Sequence, residues 1–112
     1  MGIVLKNNIV WGPKKAISEA FFEDISNIIK GSQEDYEILQ AEIDEAIFYY
    51  TWTLDYRKKI LSDVLLLSSL VNMLIEKFDE IYEDRLNENI IQVYKSSILD
   101  LQNILINSIK NY

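Results

Sequence analysis

The side chains that most often carry chemistry are missing from this chain of 112 residues. It has no histidine and no cysteine, which leaves eighteen Asp and Glu and eleven Lys and Arg as its charged groups. Without imidazole or thiol there is no Ser-His-Asp triad, no thiolate nucleophile, no zinc site of the usual kind and no Glu-x-x-His pair for a di-iron centre. Carboxylate pairs can do acid–base work when their surroundings separate their pKa values. Here the acids sit on polar helical turns with no sign of a pocket around them. Three glycines cannot supply a phosphate loop, and the calcium loop with its central glycine is absent. The expectation is a protein that is not an enzyme and needs neither cofactor nor metal.

What the acids do show is clustering. Residues 32–59 hold seven acids against three bases, and residues 60–89 hold seven against two. The flanking stretches, 1–31 and 90–112, each carry one excess base. The first cluster contains Glu34, Asp35 and Glu37, and the second contains Glu76, Asp79, Glu80, Glu83 and Asp84. Acids at a helix start suit its dipole, whereas acids at a helix end cost roughly 0.3–1 kcal/mol each. The second cluster thus breaks a local rule, which points to function. If the helices that carry the two clusters are antiparallel, they merge into one acidic end that attracts a basic protein surface. The same charge argues against nucleic acid, whose phosphates need clustered Lys and Arg.

The elements that must position these residues are mostly helices. Pro13 suits a first helical turn, and Ile17, Phe21, Ile25 and Ile28 fall on one stripe, so a helix is expected over residues 13–30. Gly31 is expected to end it in the left-handed conformation, and Ser32 to accept from Glu34 or Asp35 as the next helix begins. A second helix is expected over 33–59, with a core stripe of Tyr36, Leu39, Ile43, Ile47, Tyr50 and Leu54. No glycine or proline follows Ser32, so polar residues near 59–62 and 85–89 must turn the chain. Helices over 63–84 and 88–110 follow, the last with Ile91, Tyr94, Ile98, Leu101, Leu105 and Ile109 inward. The expected fold is mainly α, one domain of residues 1–112 built as an antiparallel four-helix bundle. Residues 1–12 precede it as an extended segment or β-hairpin turning at Asn7-Asn8.

One face of the second helix needs a partner. Ile38, Ala41, Phe48, Tyr49, Trp52 and Tyr56 lie opposite its core stripe at 100° per residue. Either the N-terminal ribbon covers them, or Phe48, Tyr49, Trp52 and Tyr56 form an exposed patch that binds a partner or a second copy. Leu99 and Ile106 also fall off the core stripe of the last helix and could join a homodimer seam.

Residues 60–75, the most apolar stretch, are too short and too polar to cross a bilayer, and no secretion signal opens the chain. A cytoplasmic protein is expected. Eighteen isoleucines against five valines, with many lysines and asparagines, match the usage of AT-rich bacterial or phage genes. In size, acidity and helical character the chain resembles the bacterial immunity proteins and antitoxins, which neutralise a cognate toxin by covering its basic surface. That resemblance implies a protein partner, such as a nuclease toxin, and assigns no residue. The alternative is a homo-oligomeric structural or regulatory helical protein with no inhibitory role.

Overall fold

The computed structural model describes residues 1–112. The chain is mainly helical with a small three-stranded sheet, and it divides into two compact units, Met1–Lys58 and Lys59–Tyr112.

The first unit is built around the N-terminal segment. Strand β1 (Gly2–Val4) pairs antiparallel with β2 (Val10–Trp11) and parallel with β3 (Thr53–Asp55), giving the order β2-β1-β3. As the central strand, β1 contributes Ile3 to the core, and Leu5 just beyond it is fully buried too. The hairpin closes through the Leu5 N–H donating to the Ile9 carbonyl at 2.8 Å. Asn7 and Asn8 both take positive φ, 62° and 55°, as expected of that pair. The loop between the closing residues is three residues long rather than two. Gly2 has φ +116°, and a Cβ there would lie 1.8 Å from the Trp11 carbonyl oxygen, so only glycine fits where β1 meets β2.

Helix α1 (Lys15–Lys30) buries Ile17, Phe21, Phe22, Ile25, Ile28 and Ile29, and Trp11 meets Phe21 edge-on at 4.9 Å. The helix starts two residues after Pro13. Gly31 ends it in the right-handed region (φ −86°, ψ −4°), not the left-handed one expected. Ser32 Oγ does accept from the Glu34 N–H, at 3.1 Å, but the next helix does not begin there. Residues 32–36 form an irregular connection, and α2 spans only Glu37–Phe48.

This is the main departure from the sequence expectation. The stretch 33–59 is no single helix: residues 49–52 turn and 53–55 form a strand of the sheet, so the sheet is more than a hairpin. The long second helix of a four-helix bundle is therefore replaced by a short helix and a strand. The physical reason is an alternation of buried and exposed side chains. Trp52, Leu54 and Tyr56 are buried, Thr51 and Asp55 are exposed, and Thr53 is half-buried. A strand places every second residue on one face. Parallel pairing with β1 then satisfies the backbone groups on the side of β3 that faces it.

The second unit holds α3 (Leu61–Ile81) and α4 (Asn89–Ser108), with a 3-10 turn over Ile109–Asn111. Asp79 binds Lys95 at 2.7 Å, and two turns earlier Asn72 accepts from Gln102 at 2.9 Å, so the helices run antiparallel. Ile91, Tyr94, Ile98, Leu101 and Leu105 are buried as expected, while Ile109 is half-buried. Phe78 stacks edge-on against Tyr94 at 5.3 Å. Helix α3 begins two residues before the expected start at 63 and ends three before the expected end at 84. No helix is long and apolar enough to cross a membrane.

Candidate functional site

The aromatic residues expected on one face of a long helix part company. Trp52 and Tyr56 are 4% and 2% exposed, inside the first unit. Phe48, Tyr49 and Tyr50 are 73%, 65% and 76% exposed. Trp52 and Tyr56 are thus corrected from surface candidates to core: they flank β3 with their side chains buried, and Trp52 meets Phe22 edge-on at 6.3 Å. Tyr50, expected in the core stripe, joins the surface group because the helix stops before it.

How the helix stops explains why three consecutive rings are exposed. Beyond Phe48, the Tyr50 N–H donates to the Ile47 carbonyl at 3.2 Å and the Thr51 N–H to the Ala46 carbonyl at 3.0 Å. These are the two bonds of a Schellman helix end, in which the residue at the Tyr50 position is usually glycine because φ is positive. Tyr50 has φ 55°, and Trp52 follows with φ 49°. Each bulky left-handed residue costs on the order of 1–2 kcal/mol. The buried Trp52 indole N–H also finds no acceptor in the protein. The turn is held by the sheet beyond it: Trp52 accepts from the Gly2 N–H at 2.8 Å, and the Tyr56 N–H donates to Val4 at 2.7 Å. Phe48 and Tyr49 rest edge-on, 4.9 Å apart.

Beside this turn lies an open cavity of about 530 Å³ lined by Glu42, Glu45, Ala46 and Tyr49 from the helix side and by Thr51, Thr53, Leu54 and Asp55 from the strand side. Its volume falls in the ~300–1,000 Å³ range usual for ligand sites. No basic side chain lines it. At its rim Asp55 holds Arg57 through two bonds of 2.9 and 2.7 Å, and this guanidinium lowers the Asp55 carboxyl to a pKa of about 2. Sequence reasoning missed this groove, because a continuous helix leaves no strand to wall it.

The acidic clusters fall in different units. In the first, Glu34 and Asp35 precede α2 and Glu37 opens it. Glu34 accepts from the Tyr36 hydroxyl at 2.8 Å, and Asp35 from the Glu37 N–H at 3.0 Å, so both acids also shape the connection. Burial, then the Glu34 carboxylate, raises the Tyr36 phenol above its ordinary pKa. In the second unit Glu76, Asp79 and Glu80 ride the last turns of α3, while Glu83 and Asp84 lie past its end. Asp79 is tied to Lys95, which gives it a role in joining α3 to α4. Next to them Arg85 pairs with Glu88 at 2.8 Å, lowering the carboxyl below its usual range.

Comparison with protein-family models, curated proteins and solved structures finds no match to this chain.

Proposed function

We propose that this is a protein-binding domain of the immunity-protein or antitoxin type. It neutralises a basic partner, such as a nuclease toxin, by direct contact. The observation that carries the reading is the run Phe48-Tyr49-Tyr50, three consecutive aromatic residues at least 65% exposed, on a turn whose backbone is strained at Tyr50. Single exposed apolar residues are ordinary, but aromatic groups on a rigid support are the usual anchors of interfaces. Backbone strain of this kind concentrates at binding sites and persists only where surrounding structure enforces it. The acids Glu34, Asp35, Glu37, Glu76, Asp79, Glu80, Glu83 and Asp84 supply the field that steers a basic surface toward the protein.

The test is capture of the partner from native host extract, identified by mass spectrometry, followed by measured binding to purified variants. Phe48→Ser with Tyr49→Ser is expected to weaken the complex about tenfold or more. Tyr50→Gly is expected to weaken it too while raising stability by about 1 kcal/mol, since glycine relieves the left-handed turn. Glu80→Lys, Glu83→Lys and Asp84→Lys together are expected to slow association in low salt and to leave the helical signal intact. Undiminished affinity in the aromatic variants would sink the reading of the turn.

A second reading, a homo-oligomer, draws on Leu99 and Ile106, both exposed on α4. Its test is the oligomeric state.

A further inference from the structure

The sheet of the first unit has an open side. β3 stands at the end of the order β2-β1-β3, and its ladder to β1 has the register Gly2↔Thr53, Ile3↔Leu54 and Val4↔Asp55. Trp52 and Tyr56 bond to β1, as the Gly2 and Tyr56 amides show. In a parallel pair, alternate residues bond to a given neighbour, so the peptide groups of Thr53 and Asp55 face away from β1. Thr53 and Asp55 also line the cavity whose other wall is Glu42, Glu45, Ala46 and Tyr49 of α2. An outward strand edge thus adjoins a groove, and the groove is acidic.

We propose that this groove is a strand-addition site for an extended, basic segment of the partner protein. The segment pairs its main chain with Thr53 and Asp55, extending the sheet to four strands, and sets alternate Lys or Arg side chains against Glu42 and Glu45. Main-chain pairing supplies affinity in such sites, while the pockets that receive alternate side chains supply specificity. The charge selects the occupant: Glu42 and Glu45 line the groove with no base in its lining, so it repels an acidic edge and favours a cationic one. The inference rests on the reading of the first unit as a partner-binding surface, and it adds which backbone the partner meets and what side chains it brings.

The test titrates full-length, nitrogen-15-labelled protein with three capped pentapeptides. One is acetyl-Lys-Val-Lys-Val-Lys-amide, one is the same chain methylated on alternate backbone nitrogens, and one carries Glu in place of Lys. The lysine peptide is expected to shift the Thr53 and Asp55 amides and slow their hydrogen exchange about tenfold. The methylated peptide is expected to bind about tenfold weaker, and the glutamate peptide not at all. Glu42→Lys with Glu45→Lys is expected to abolish the lysine-peptide response with the fold retained. Equal binding of the methylated peptide means charge attraction without strand pairing and overturns the proposal. So does a response at other residues, or none at millimolar peptide. If partner capture depends on Phe48, Tyr49 and Tyr50 but no edge amide responds, strand addition fails and the reading of the turn stands. If the edge responds and capture ignores the aromatic variants, the turn fails and the edge stands.

Discussion

Asp55 and Arg57 illustrate how one residue pair reports on its surroundings. The folded Asp55 carboxyl titrates at about 2 against an ordinary 3.8, because Arg57 donates to it through side chain and backbone. A depressed folded value means that the pair stabilises the fold above the unfolded pKa and loses that contribution as pH falls through the folded one. Asp55→Asn is therefore expected to be less stable than the parent at pH 5, with the gap closing between pH 4 and pH 2. Urea midpoints across that range check it, and a gap constant down to pH 2 would refute it. The effect is small, since the pair is exposed and water screens it. At this scale the sequence is legible wherever a residue type has one use. Asn7-Asn8 announces positive φ and the structure has it. Tyr50 and Trp52 do not, because aromatic residues rarely adopt that conformation and nothing local marks it.

At the scale of elements, α1 and α4 are legible from apolar stripes at helical spacing, and α3 from the polar turns near 59–62 and 85–89 that bracket it. The same stripes mislead over the second helix. Residues 36–54 satisfy a helical stripe, but residues 51–56 also satisfy a period of two, with Trp52, Leu54 and Tyr56 against Thr51, Thr53 and Asp55. Short apolar runs fit both patterns, and β-branched and aromatic content favours the strand. The choice is settled by tertiary pairing with β1, fifty residues away, which no local pattern contains. Within the site, the exposed Phe48 and Tyr49 were visible as unpartnered aromatics, whereas the groove was not, since it exists only once β3 is a strand. The N-terminal ribbon does need a surface to hold it, and β3 is that surface. Deleting residues 2–11 removes β1 and β2 and leaves β3 without a ladder, so the first unit is expected to unfold. A red-shifted Trp52 emission with loss of part of the helical circular dichroism checks this. Full retention of both would make the segment an incidental tail.

For the whole molecule, charge is spread over both units. Residues 1–58 carry ten acids against six bases, and residues 59–112 carry eight against five, together −7. Such an excess favours meeting a basic partner over meeting another copy of itself. Sedimentation velocity at micromolar concentration is expected to show a monomer, and a dimer boundary would favour the oligomeric reading built on Leu99 and Ile106. The parallel pairing of β1 with β3 has one more consequence, for the order of folding. The helical pair α3–α4 forms through contacts near in sequence, whereas the sheet must close a loop of about fifty residues, and distant closures are slow. During synthesis β1 emerges first and waits for Thr53–Asp55 before its ladder can complete. The only two tryptophans, Trp11 on β2 and Trp52 leading into β3, sit at this closure. Intrinsic fluorescence therefore times the arrival of the late strand, while helical circular dichroism follows the four helices.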